Sequence, residues 1–172
     1  ASDPGGQPPD PNRQPSGPFV DVHGRYLPLE GTMRGAPAFL ILSGPSLTQL
    51  DLPKLRRRGI YTIGVNNSPA LWRPNLWTYV DRANKFHQSI WLDPTVIKCV
   101  PRQHFGKKLR RKNPDGTFSE LTRKLPDGRE IQAVVGDMPG VIGHTRNANF
   151  NPETWLTEES INWGNSKKSS RR

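Results

Sequence analysis

Apolar positions are spread unevenly along the chain. Residues 1–18, "ASDPGGQPPDPNRQPSGP", hold almost no apolar side chain. Such a stretch cannot bury enough surface to offset the entropy of ordering, so a disordered lead is expected. Residues 19–35 carry "FVDVHGRYLPL", with a short alternation at Val20, Val22 and Tyr26 that suits an edge strand or a packed arm. Between 36 and 101 the apolar runs are densest. "AFLILS" is continuous rather than alternating, the pattern of a strand buried on both faces of a parallel sheet. "YTIGVN", "LWTYVD" and "VIKCVP" repeat that signal, and together these runs predict strands over 38–43, 60–65, 76–80 and 96–100.

Between the strands the pattern is more helical. "SLTQLDLPKLRRRG" reads as a short segment interrupted by proline, with its arginines at the end favoured by the helix dipole and Gly59 as a stop. "RANKFHQSIWL" is a second helical candidate. Strands alternating with helical pieces indicate an α/β layer, mainly parallel, over residues 19–105. Residues 106–136 differ. "NPDGT" and "LPDGR" are two Pro-Asp-Gly turn signals about a dozen residues apart, between runs that alternate apolar and charged. That spacing predicts a small antiparallel β meander inserted on the layer, with turns at Asn113–Gly116 and Pro126–Gly128. Residues 137–163 read as an ordered loop, with Asn151 or Thr154 able to cap one helical turn. Residues 164–172 read as a basic solvated tail.

Composition narrows the class. The chain has 172 residues, 33% hydrophobic, with 18 prolines and 16 glycines. Its mean hydropathy of -0.73 is low, so the core is expected to be small for the length. Twenty-five Lys and Arg against 15 Asp and Glu leave a formal charge of +10, which attracts phosphates, nucleic acid or anionic surfaces. The single cysteine, Cys99, excludes an internal disulfide, and a reduced, cytoplasmic setting is expected. No apolar run reaches the roughly 18 residues needed to span a bilayer.

The candidate chemistry lies where the predicted strands end. After "LIL" comes the turn Ser43, Gly44, Pro45, Ser46. A turn between strand and helix exposes backbone N–H groups to an anion. It equally serves as a plain reversal with Ser46 as the helix cap. It is neither a Walker loop nor a Gly-x-Gly-x-x-Gly turn. The second strand ends in Asn66 and Asn67, whose amides suit a base or ribose, or an Asx turn before Pro69. The third ends in Asp81, an acceptor for a ribose hydroxyl, a metal or a proton, or the partner of a nearby cation. If the strands are parallel, all three turns share the carboxyl rim, where open α/β sheets bind ligands.

"LILSGPSL", then "YTIGVNN", then "TYVD" resembles Rossmann-like proteins marked by a Gly-Pro-Ser-Leu turn. These include bacterial sialyltransferases that use CMP-sialic acid, and 6-hydroxymethylpterin diphosphokinase-like domains related to flagellin-glycosylation proteins. The resemblance covers roughly residues 38–101. It implies an incomplete Rossmann-like sheet that binds a nucleotide-activated donor such as a CMP-sugar. It also implies that Gly44, Pro45, Ser46 and Asn66 contact the nucleotide. Ser43 stands where the sialyltransferase turn usually has Asn. The later part of the family's sheet and its catalytic histidine have no counterpart, so a truncated or reduced member is expected and the catalytic residues are unknown.

Other features are read as structural first. His87, His104 and Cys99 show no metal-ligand spacing. Trp72, Trp77 and Trp91 suit packing. The basic run Lys107, Lys108, Arg110, Arg111 and Lys112, near Phe105, suits a solvated hairpin tip or a phosphate backbone. Two function classes remain. One is a nucleotide-binding domain of a glycosyltransferase- or diphosphokinase-type protein, its partner a nucleotide-linked small molecule. The other is a basic nucleic-acid-binding or accessory protein.

Overall fold

The computed structural model describes residues 17–147 and 161–162. The lead over 1–16, the turn expected near Asn151 and Thr154, and the basic tail lie outside the described residues. In chain order the strands are β1 (Phe19–Val20), β2 (Ala38–Ile41), β3 (Tyr61–Val65), β4 (Leu76–Thr78) and β5 (Ile97–Pro101). Then come β6 (Arg110–Lys112), β7 (Phe118–Glu120), β8 (Thr122–Lys124), β9 (Glu130–Gln132) and β10 (Val141–His144). A final parallel pair joins β11 (Arg146–Asn147) to β12 (Ile161–Asn162).

The four apolar runs form parallel strands in the order β2-β3-β4-β5, but β2, read as buried on both faces, lies at the sheet edge with only Ile41 buried. Val141–His144, expected from the sequence to belong to a loop, is a fifth parallel strand beside β5. Its four residues, "VIGH", follow Pro-Gly and contain a glycine, too short a run to show periodicity. β1 closes the far side of β10 antiparallel, the first of the two readings, edge strand or packed arm, that its sequence allows. The result is a mixed sheet with few helices. The segment after β2 forms two 3-10 turns, Pro45–Gln49 and Leu52–Leu55, rather than a helix. Pro45 opens the first turn, where its missing N–H costs nothing, but Pro53 lacks the N–H that an α-helix running on from Pro45 would need. The second helical candidate condenses to a 3-10 turn, Ala83–Lys85, and one α-turn, α1 (Gln88–Trp91).

Among the five parallel strands the spatial order, β2-β3-β4-β5-β10, runs with the sequence and never reverses. Since β-crossovers are almost always right-handed, such an order puts every connection on one face of the sheet. The core obeys this. In a parallel ladder, paired residues point to the same face, and alternate residues to opposite faces. One face carries Ile41, Thr62, Gly64, Trp77, Lys98, Val100 and Val141, all buried. The connections pack on it. Leu47 and Trp72 join Ile41, with Leu52 and Leu55 against them. Ala83, Phe86, Ile90, Trp91, Leu109 and Val135 join Trp77, Tyr79, Val100 and Val141. Trp77 meets Tyr79, Phe86 and Trp91 at ring separations of 5.0–5.1 Å. Gly64 is required there, because a Cβ would lie 2.7 Å from Pro74 Cγ and 2.9 Å from Ser68 Oγ. The other face carries Leu40, Ile63, Leu76 and Ile97 in register, none of them buried, and only at β5 and β10 does it hold the buried Cys99, Pro101 and His144.

Residues 107–135 form the antiparallel hairpin pair that the two turn signals predict. β6 pairs with β7 and β8 with β9, and their tips are the two Pro-Asp-Gly turns. Gly116 and Gly128 hold the left-handed φ of 85° and 84° that these turns need. Asp115 accepts from the Thr117 N–H at 2.9 Å, and Asp127 from the Arg129 N–H at 3.0 Å. The hairpins are repeats of one twelve-residue unit, Leu109–Glu120 then Leu121–Gln132, followed by Ala133. Leu109, Leu121 and Ala133 close a ring of backbone bonds: Leu109 N–H to Ala133, Leu121 N–H to Leu109, and Ala133 N–H to Leu121. All three are buried. This junction interrupts the ladder between β7 and β8 and roots the hairpins in the sheet's core.

Candidate functional site

Beyond β4 the chain runs over the carboxyl rim as Tyr79-Val80-Asp81-Arg82. Asn66 ties this loop to the end of β3. Its backbone N–H donates to the Thr78 carbonyl at 3.0 Å, and its Oδ1 accepts the Val80 N–H at 3.1 Å. Its own carbonyl accepts the Trp77 Nε1–H at 2.8 Å. Asn66 has φ of 51°, the left-handed region that asparagine tolerates better than most residues. The Asn66 amide thus braces two rim loops, the structural alternative that the sequence leaves open. Buried Ala83 and Phe86 anchor the next turn in the core. Asp81 pairs with Lys85 at 3.2 Å, so its cation is one turn onward rather than Arg82.

The neighbouring loop comes from β5. The 3-10 turn Arg102–His104 brings His104 Nδ1 to 3.1 Å from the Tyr79 hydroxyl, with the rings stacked at 5.7 Å. Burial pushes the Tyr79 hydroxyl's pKa up, so it stays protonated. Backbone bonds fix the stretch after His104: Lys107 N–H to His104, Val135 N–H to Lys107, and Gly136 N–H to Phe105. Lys107 and Lys108 therefore stand at the rim, ahead of β6. They are not at a hairpin tip, as the basic run suggested.

Between the loops lies an open cavity of about 460 Å³. Val80, Asp81, Arg82, Ala83 and Asn84 line one side, and His104, Lys107 and Lys108 the other. Its size suits a ligand of nucleotide dimensions. Arg82, Lys107 and Lys108 are exposed and make no ion pair among the described residues. One carboxylate, already shared with Lys85, faces these three cations. The site therefore attracts anions.

Of the residues singled out in the sequence as nucleotide contacts, only Asp81 lines this cavity. Asn66 lines a separate pocket of about 50 Å³ with Asn67, Phe86 and His87. Ser43, Gly44, Pro45 and Ser46 line neither, and all four are exposed at the end of the edge strand β2. Gly44 takes the cap position of the following five-residue turn, with no side-chain cap bond. Ser46 lies inside the turn and is not the cap expected from the sequence. Buried Leu47 anchors the turn on Ile41 and Trp72. His87 accepts the Ser89 N–H at 3.2 Å and caps α1. Cys99 is a buried free thiol whose pKa burial pushes up to about 12. The described residues hold no group of three metal-ligating side chains and no helix long and apolar enough to cross a membrane.

Sequence reading missed Arg82 and Asn84, and it did not bring Lys107 and Lys108 to Asp81. The signal was the basic run itself, but only the sheet puts residues 81 and 107 on adjacent loops. Comparison with models of known families, with curated proteins and with solved structures finds no match to this chain.

Proposed function

We propose that the rim cavity binds a nucleotide-linked small molecule, with phosphate held by Arg82, Lys107 and Lys108. The observation that carries this reading is three cations, unpaired among the described residues, converging on one cavity beside a single carboxylate. Charge-assisted bonds from guanidinium and ammonium to phosphate are among the stronger polar contacts. Asp81 and Asn84 then serve the ribose or base. The wider reading is an incomplete Rossmann-like domain of a glycosyltransferase- or diphosphokinase-type protein with a donor such as a CMP-sugar. It rests on the parallel sheet and the Gly-Pro-Ser-Leu turn, and it assigns no catalytic residue. In it, Ser43–Ser46 and Asn66 shape the rim.

Calorimetric titration with CMP, CDP, UDP, ADP and inorganic pyrophosphate tests the site. Lys107→Ala with Lys108→Ala should weaken binding of the diphosphates by roughly tenfold or more. Asn66→Ala should instead cost about 1–2 kcal/mol of stability, because the Val80 N–H loses its acceptor. Unchanged affinity in the folded lysine variant overturns the assignment.

A second reading is favoured by one feature. Exposed Arg110, Arg111 and Lys112 continue outward from Lys107 and Lys108, and exposed Phe118 stands opposite Lys112. A basic strand beside an aromatic ring suits a single-stranded nucleic acid. Tighter, salt-dependent binding of an oligonucleotide than of any mononucleotide would select it.

A further inference from the structure

The two edges of the central sheet are finished differently. At β1 the outer side is occupied: Tyr26 bridges to Val20, and the Leu27 N–H bonds the Phe19 carbonyl. At β2 no strand lies outside among the described residues. The Tyr61 N–H bonds the Pro37 carbonyl. The alternation of a parallel ladder then turns the N–H groups of Phe39 and Ile41 towards β3, and those of Ala38 and Leu40 outward. Those outward groups have no partner among the described residues.

The same edge is apolar and exposed. Phe39 is 44% exposed, Leu40 62%, Leu42 57% and Leu50 61%. Edge strands are usually protected by charge, a bulge or a cover. Here no charged side chain occurs from Pro37 to Leu50, in a chain whose net charge is +10. Two copies of so basic a chain repel one another over most of their surface. Along this strip they bring no like charges together. A short, uncharged, apolar strand is also self-complementary under a two-fold axis.

We propose that the outer edge of β2 is a self-association surface, on which a second copy of this chain adds its own β2 in antiparallel pairing. Phe39 then packs on one face of the joined sheet, and Leu40 and Leu42 on the other. The contact is smaller than the roughly 800 Å² per partner of a standard interface, so the dimer is weak.

Sedimentation velocity on the full chain, from low micromolar to about 500 μM, tests this in the range where such a weak contact populates. The mass should rise with concentration towards twice 19.3 kDa. Leu40→Lys, which places a charge on the strand without touching the β3 ladder, should weaken association by about tenfold or more and leave the circular dichroism unchanged. If that variant does not fold, Leu42→Lys, just past the strand, carries the same test. A wild-type chain that stays monomeric throughout overturns the proposal. So does a dimer that persists unchanged in the folded lysine variant.

Discussion

The sheet's two faces both carry large apolar residues but are covered to different extents. On one, Trp77, Val100 and Val141 are buried beneath the connecting segments. On the other, Leu40, Ile63, Leu76 and Ile97 line up in register without that cover, and Leu40 and Ile97 are exposed. The composition of the strands does not account for the difference. Strand order does: five parallel strands laid down in sequence send every right-handed crossover to the same side. A parallel sheet is usually covered on both faces; here the described chain covers one along its length and the other only at β5 and β10, where Cys99, Pro101 and His144 are buried.

The sharpest test of this contrast is Trp77→Ala. Trp77 is fully buried, touches three aromatic rings and bonds the Asn66 carbonyl. Its loss should cost about 3–5 kcal/mol in urea denaturation. A cost below about 1 kcal/mol would mean that this face is not the core.

Lys98 gives a smaller effect with a pH signature. It lies on the buried face, where its ammonium donates to the carbonyls of Asp93 and, at 2.8 Å, Pro139. Burial lowers its pKa from 10.5 to about 8, against the attraction of Asp93. Between those values the unfolded chain holds a proton that the folded chain has released. Stability from this group therefore rises as pH rises from about 8 to 10.5. Lys98→Met leaves two carbonyls unbonded and should cost about 1–3 kcal/mol at neutral pH. The gap between the wild-type and variant urea midpoints should widen between pH 8 and 10. A constant gap breaks the assignment.

The smallest effect belongs to the bare face. Ile97→Thr, on a side chain 40% exposed, should cost less than about 1 kcal/mol. A cost near that of Trp77→Ala in the same assay would show that this face is covered in solution, and the contrast would fail.

The strands were legible where they were long enough to leave an uninterrupted apolar run. Tyr61–Val65 and Ile97–Pro101 did so, and β10 did not. The proline inside the segment after β2, Pro53, was visible, yet it suggested an interrupted helix. In fact it leaves two 3-10 turns, because the N–H it lacks is one that a helix continuing through it would need. The turn residues of the hairpins were legible because Pro-Asp-Gly has its own geometry. The ring through Leu109, Leu121 and Ala133 was not, although the twelve-residue repeat that builds it stands in the sequence. Asp81 was found at the rim from its place after a strand. Arg82 beside it was not read as part of a site.

By itself the sequence determined the parallel strands, the two hairpin tips and the excess of positive charge, since each depends on local pattern or composition. Which face of the sheet is buried, and which edge stays open, depended on strand order, a property of the whole chain. Only the tertiary structure brought Asp81 and Arg82 opposite Lys107 and Lys108. These residues are far apart in sequence, and their meeting depends on β4 and β5 lying side by side with their carboxyl ends on one rim.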